Sequence, residues 1–327
     1  MTTTGDAGLA RVRDGEGHTL RAALCVGTRG SALALEQTRR VVALLQAAAP
    51  ELTIETRLIT THGDVDKQTP LAVLGGQGVF AKEIEAALLA GEIDLAVHSA
   101  KDLTSELPRG LIIAAIPERD DPRDALVAPT PGLRLDDLSP GAHVGTSSRR
   151  RALQLQQARP DLVAVELRGN VDTRLRKVRQ REGGLAAGIL AASGLLRMGW
   201  QDAIAEVLPL DTFLPAPGQG ALAVECRADD EPLRALLATI DDPAVARAVA
   251  IERAFLRAVG GGCRSPIGAF AVIQDERVLL RAMLGDEENT TALYASRLGA
   301  LADAEELAAE LARGMLQQLA ERVAAAR

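Results

Sequence analysis

Apolar positions along the chain switch between two periods. "ALCVGT" (23–28) reads as a strand, and "SALALEQTRRVVALLQAAA" (31–49) carries Ala34, Thr38, Val41, Val42 and Leu45 on one helical face. "TIETRLIT" predicts a second strand, "LGGQGVF" a glycine-rich turn and "AKEIEAALLAG" a helix, while "IDLAVHS" and "LIIAAI" are further apolar strands. Strands alternating with helices predict a mostly parallel sheet in an α/β layer architecture.

The charged, proline-containing stretch "PERDDPRD" predicts a crossing, and the pattern restarts after it. "DALVAP" and "HVGTS" read as strands and "SRRRALQLQQAR" as a helix. Strand "LVAVEL", helix "VDTRLRKVRQRE", strand "AAGILAA" and a helical turn follow. The openings "VGTRGS" and "VGTSSR" share a strand, a Gly-Thr pair and a helix start, which suggests two similar α/β domains. "FLPAPGQGALAVECR" predicts a second crossing and a strand. From about Asp241, helix "AVARAVAIERAFLRAV", strands "IGAFAVI", "RVLLRAML" and "TALYASRL" and helix "AEELAAELARGMLQQLAERVAAA" predict a small α+β domain with a three-stranded sheet. The expected division is a disordered leader over 1–20, α/β domain 1 over 21–118 plus 218–240, α/β domain 2 over 119–217, and the α+β domain 3 over 241–327. Two α/β domains joined by two crossings enclose a cleft, and ligands of such sheets sit beyond the carboxyl ends of the strands.

Composition narrows the function. With 327 residues the chain holds two or three domains, and 47% hydrophobic residues suffice for ordinary cores. Aromatics are 2% and the net charge is −7, which argues against base-stacking surfaces and against a general nucleic-acid binder. The lysines are Lys67, Lys82, Lys101 and Lys177, and every other basic side chain is arginine. A GC-rich genome accounts for most of that bias, but not for where the arginines cluster. Cys25, Cys226 and Cys263 show no C-x-x-C spacing, and His18, His62, His98 and His143 are the available imidazoles, so no metal site is expected. The sparse cysteines fit a reducing compartment. No apolar leader and no membrane-length run occur, so a soluble cytoplasmic protein is expected.

The candidate chemistry lies at strand-to-helix junctions. Arg29 and Ser31 open the first helix, where unpaired backbone N–H groups and a guanidinium favour an anion. Arg149, Arg150 and Arg151 follow Ser147 and Ser148 at the matching place in the second unit. Arg168 and Arg174 flank Asn170, and Arg197 lies in "SGLLRMG". Any one of these arginines reads equally as a solvated surface residue. Together they point to a pocket for a ligand with several carboxylates or phosphates. "GGQGVFAKE" lacks the Gly-Lys-Ser/Thr ending of a phosphate-binding loop, which disfavours a nucleotide. His98, Ser99, Lys101 and Asp102 follow an apolar strand; Asp102 is either a proton-transferring carboxylate or a cap paired with Lys101. Cys263, after Gly260, Gly261 and Gly262 and before Arg264, is either a reactive thiol or a small buried residue at a turn.

Taken in order, "VGTRGSALALEQT", "GGQGVFAKEIEAALLAGEIDLAVHSAKDL", "PERDDPRDALV", "VGTSSRRRALQLQ", "ELRGNVDTRL", "PAPGQGALAVECR" and "GGGCRSPIGAFA" closely resemble the porphobilinogen deaminase, or hydroxymethylbilane synthase, family. The resemblance runs from about Cys25 to Val272. It implies two periplasmic-binding-protein-like α/β domains flanking a cleft, and a third domain whose cysteine, Cys263 here, holds a dipyrromethane cofactor through a thioether. It implies a transferase of tetrapyrrole and haem biosynthesis that condenses four porphobilinogens in turn onto that primer, with loss of ammonia, before water releases hydroxymethylbilane. Asp102 matches the catalytic aspartate, which would stabilise an azafulvene cation and assist proton transfer. Arg29, Arg150, Arg151, Arg168, Arg174 and Arg197 match arginines that hold the acetate and propionate groups. Ser31, Thr146, Ser148, Gly169 and Asn170 align with polar contacts, and Lys101, beside Asp102, is assigned with them to binding the carboxylates. The resemblance favours a monomer whose partner is the small molecule porphobilinogen.

Gln77 stands where many members have Lys, Thr104 where Pro is common, and Arg149 adds a third consecutive arginine; "GLAAGILAA" lacks the Asp that often precedes this strand. The rival reading is a bilobed anion receptor or the effector domain of a regulator. It leaves the Cys263 loop and the third domain without a role.

Overall fold

A computed structural model describes residues 11–13, 19–21, 23–65, 78, 81–260, 265–286, 288 and 290–326. Within the stretch expected to be a disordered leader, β1 (Arg11–Arg13) and β2 (Thr19–Arg21) pair as an antiparallel ribbon; the rest of that stretch lies outside the described residues, apart from this ribbon. The expected glycine-rich turn, Gln77 included, also lies outside them except for Gly78.

The first half runs β3 (Ala23–Thr28), α1 (Ala32–Ala48), β4 (Thr53–Leu58), the short α2 (His62–Val65), α3 (Lys82–Leu89), β5 (Leu95–Ser99) and β6 (Leu111–Ala115). After the first crossing come β7 (Asp124–Val127), β8 (His143–Gly145), α4 (Arg149–Ala158), β9 (Val163–Val165), α5 (Val171–Arg179), β10 (Leu185–Ala191), α6 (Ala192–Arg197) and β11 (Ile204–Val207). The second crossing leads into β12 (Leu222–Arg227) and α7 (Glu231–Ala238). The chain ends with α8 (Pro243–Ala258), β13 (Ile267–Gln274), β14 (Arg277–Gly285), β15 (Ala292–Ala300) and α9 (Ala304–Ala326).

Two five-stranded sheets result, with orders β4-β3-β5-β12-β6 and β9-β8-β10-β7-β11. They correspond strand for strand, and the fourth strand of each, β12 or β7, is the one that runs antiparallel to its neighbours. That reversed strand is the one entered from a crossing. Apart from it, each sheet is parallel, as expected. The shared "VGT" openings occupy the matching second strands, β3 and β8. β11 and α7 were not expected from the pattern. α7 carries its own signals: an Asp230 N-cap that accepts from Leu233 N, a proline in its first turn, and buried Leu233, Leu236 and Leu237.

Burial explains the strand compositions. β5 and β12 are central and covered on both faces, so they read as nearly continuous apolar runs. β4 is an edge strand with Glu55 and Arg57 outward, which blunts it. The third unit is a β13-β14-β15 meander packed on α8 and α9 through Ile251, Phe255, Val278, Leu280 and Leu311.

The two crossings lie against each other. Arg119 pairs with Ala221 as an antiparallel bridge, Asp120 N donates to Gly220 O at 3.1 Å, and Leu222 N donates to Glu118 O at 3.2 Å. Gly220 sits at φ +90°, and a Cβ there would overlap the Asp120 carbonyl. Glu252 of α8 anchors this double crossing. Its carboxylate accepts from Arg119 Nη1 at 2.8 Å, Arg119 Nη2 at 3.1 Å, Gly218 N at 2.7 Å and Ala271 N at 3.0 Å.

Candidate active site

Between the two sheets lies a cavity of about 420 Å³, lined by the loops beyond the carboxyl ends of β3, β5, β8, β9 and β10 and by the second crossing. Helix starts converge on it. Ser31 caps α1 by accepting from Ala34 N at 3.3 Å, and Ser148 caps α4 by accepting from Arg151 N at 3.4 Å. α5 begins at Asn170 with no side-chain cap, so its first N–H groups take no partner from that residue. Each start adds a partial positive charge toward the cavity.

Most of the expected residues meet here. Arg29, Ser31, Lys101, Asp102, Ser148, Arg150, Arg151, Gly169, Asn170, Arg174 and Arg197 all line the cavity, as does Arg149. Thr146 and Arg168 do not. Thr146 is buried one layer back, where its Oγ1 accepts from Ser148 N at 3.2 Å, and Arg168 Nε lies 3.8 Å from Glu166. Cys263 and Arg264 lie outside the described residues, but Ser265, Pro266 and Ile267, immediately after them, line the cavity.

The arginines are not equivalent. Arg150 and Arg151 are only 5% and 6% exposed and converge on Asp124, which is fully buried. Asp124 Oδ2 accepts from Arg150 Nη1 at 2.7 Å, and Oδ1 accepts from Arg151 Nε at 2.9 Å and Gln219 Nε2 at 2.8 Å. Arg150 also donates to Leu214 O. Burial alone would raise the Asp124 carboxyl; the two guanidiniums reverse this and hold it below the usual carboxylate range. Arg197 donates from Nε to Asp120 Oδ2 at 2.6 Å and from Nη2 to Gly220 O at 2.5 Å, which ties α6 to the double crossing. Arg174 donates to Gly169 O at 2.6 Å, and burial, reinforced by Arg151, lowers it to about 10.

Lys101 and Asp102 sit on a single 3₁₀ turn at the end of β5. Burial pushes the Lys101 ammonium down to about 8; Asp102 and Asp124 oppose the shift, and Arg151 and Arg150 add to it. Lys101 Nζ donates to Gln219 Oε1 at 3.4 Å. The Gly218 backbone lies close over this turn.

Sequence reasoning missed Asp124, Asp120, Gln219 and Gln37. Gln37 is buried in α1 and donates to Ser99 Oγ at 2.8 Å at the cavity wall. Two signals stood in the sequence: four carboxylates packed into "PERDDPRD", and a polar Gln between two glycines in "PGQGA". Neither says which carboxylate turns inward.

Among the lining residues, seven cationic side chains face one carboxylate, Asp102. Such a site binds a polyanion and offers one group able to stabilise a cation or move a proton. Among the described residues no cluster of His, Cys, Asp and Glu is arranged to hold a metal ion.

Two family descriptions match the sequence: "Porphobilinogen deaminase, dipyromethane cofactor binding domain" over residues 24–235, and "Porphobilinogen deaminase, C-terminal domain" over residues 246–317. The chain belongs to the porphobilinogen deaminase family. Family members of this name are similar along nearly their whole length. One from Syntrophus aciditrophicus is 49% identical over 89% of this chain and 94% of its own. One from Roseiflexus castenholzii is 50% identical over 91% and 97%. Among solved structures, the methionine binding protein MetQ aligns over 71% of this chain and 95% of its own, with a TM-score of 0.44 and 14% identity. Among the described residues no helix is long and apolar enough to cross a membrane.

Proposed function

We propose that this cavity condenses porphobilinogen, head to tail and with loss of ammonia, onto a dipyrromethane primer carried by Cys263, releasing hydroxymethylbilane after four additions. The chain is then a transferase of tetrapyrrole biosynthesis. The observation that carries this reading is the opposition of Asp102 to a surround of guanidinium groups within one cavity. Every ring of substrate and cofactor brings an acetate and a propionate, and planar forks suit those groups.

The residues present fit the cofactor. Ser265–Ile267, which begin two positions after Cys263 in the sequence, line the cavity, and the cationic lining can neutralise the cofactor's four carboxylates. When bound, it supplies the nucleophilic free α-carbon. The chain's own groups do the rest. Arg29, Lys101, Arg150, Arg151, Arg174 and Arg197 hold carboxylates, and Arg168, beside the lining residue Gly169, completes the set. Ser31, Ser148, Gly169 and Asn170 orient the rings, with Thr146 holding Ser148. Asp102 stabilises the positive charge that develops as ammonia leaves the substrate's aminomethyl carbon, and then takes the proton lost from the attacking carbon.

The same reading divides the chain into domains of 21–118 plus 218–240, 119–217 and 241–327. The matching strand orders support the first two, and the separate α8–α9 core supports the third. It also makes the protein a cytoplasmic monomer whose partner is a small molecule.

The test is Asp102→Asn. That variant should carry the cofactor and lose turnover of porphobilinogen by about 10²-fold or more, the scale of a lost electrostatic catalyst. Near-normal turnover would remove Asp102 from the chemistry.

A further inference from the structure

Beneath the turn that carries Asp102, three ionisable side chains are buried together on one face of the first sheet. They are Glu85 of α3, His98 of β5 and Glu225 of β12, and none is more than 8% exposed. His98 pairs in register with Ala223 and Glu225 with Ala96, so His98 and Glu225 are diagonal neighbours on the same face. His98 Nε2 lies 3.1 Å from Glu225 Oε2 without forming a hydrogen bond. Both Glu225 oxygens and Glu85 Oε1 also lack a hydrogen-bond partner. The other charges around the cluster are few. Lys82 and Glu83 are on α3 itself, and Arg253 of α8 interacts electrostatically with Glu225. At the far end of α3, Arg227 donates to Leu88 O and Ile93 O and pairs with Asp94; Cys25 of β3 packs there too. On the cleft side, His98 shares a small cavity with Arg29 and Asp102.

Two buried carboxylates and one imidazole are tolerated only if protons or cations offset them. Burial, followed by the charge of Glu225, pushes the Glu85 carboxyl up to about 7, with His98 and Lys82 opposing.

Two elements that bear this cluster, α3 and β5, also grip the Asp102 turn, as does α8 beside it. Lys82 N and Ala81 N at the start of α3 donate to Gly78 O, and Gly78 N donates to Asp102 O at 3.1 Å. β5 runs directly from His98 into the turn. Arg253 Nη2 donates to Thr104 O at 2.8 Å just beyond it.

We propose that Glu85, His98 and Glu225 form a proton-holding seat for Asp102, acting as positioning residues for the condensation. This rests on the function proposed above. While Glu85 holds its proton, α3 stays on the sheet and the Asp102 carboxylate is in place. When Glu85 ionises, two buried carboxylates repel, α3 loosens, and the turn loses its support.

The experiment compares wild-type holoenzyme with Glu85→Gln, a neutral side chain of the same shape. kcat and KM for porphobilinogen are measured from pH 6 to 9, and unfolding midpoints at pH 5 and pH 8. The wild-type kcat should fall about threefold or more as the pH passes 7, while that of Glu85→Gln stays within about 1.5-fold, both falling within the tenfold-per-unit ceiling of one titrating group. Folding favours the protonated Glu85, so its contribution to stability is full below the ordinary carboxylate range and is lost as pH rises through about 7. Glu85→Gln should therefore unfold at a higher temperature than wild type at pH 8 and at about the same temperature at pH 5. His98→Gln should lower kcat with KM unchanged. Superimposable kcat profiles, or equal midpoints at both pH values, would overturn the proposal. A wild type that consumes no porphobilinogen would instead remove the function proposed above, and the midpoints would still report on the cluster.

Discussion

Asp124 Oδ2 accepts a hydrogen bond from Arg150 Nη1 at 2.7 Å, and both side chains are buried. The same carboxylate also serves Arg151, so one negative charge stands against two guanidiniums. The pair keeps a net positive charge for a ligand, and its orientation is fixed before the ligand arrives.

Removing one member of such a buried set strands the other charges. Asp124→Ala should lose about 3–5 kcal/mol of stability. Urea unfolding monitored at two wavelengths checks this. A loss under about 1 kcal/mol would mean that the arginines find other partners, contrary to the geometry.

The double crossing depends on close backbone approach at Gly220. Its φ of +90° and the Asp120 carbonyl beside it leave no room for a Cβ. Gly220→Ala should cost about 2 kcal/mol or more. Gly314, inside α9 with open space where a Cβ would stand, gives the contrast. Gly314→Ala should stabilise by about 0.5–1 kcal/mol. Equal effects at the two sites would contradict the packing described.

Lys101 sets a pH limit on binding. Its ammonium is lowered to about 8, so in the folded protein it loses its charge as pH rises past that value. The neutral form is favoured by folding, so this burial cost to stability fades as pH rises toward the lysine's ordinary range. Substrate carboxylates should bind less well above pH 8, by up to about tenfold per unit for one proton. KM for porphobilinogen, measured from pH 7 to 9.5, should rise in wild type and stay level in Lys101→Gln. A level wild-type KM would exclude Lys101 as a charged ligand.

Much of this was legible in the sequence because local rules governed it. α1 and α9 have regular apolar stripes, β5 and β12 are apolar runs, and the two "VGT" openings mark matching strands. The strand order needed the structure, because periodicity does not say that β12 returns to the first sheet beside β5. The arginines were visible as a cluster, yet which were already paired was not. Asp120 and Asp124 are four residues apart in one charged run, and only the fold sends one to Arg197 and the other to Arg150. Glu85 illustrates the same limit. It lies in a helix whose sequence reads as amphipathic, and the negative charge that acts on it comes from Glu225, 140 positions away along the chain.

The central claim is that a covalent pyrrole primer on Cys263 makes this cavity a condensing site. The intact mass of the purified protein, with peptide mapping around Cys263, tests it most directly. The expected result is a mass excess equal to two linked pyrrole units, located on Cys263, or acquired there when an unmodified protein is incubated with porphobilinogen. A thiol that stays unmodified after that incubation would contradict the account.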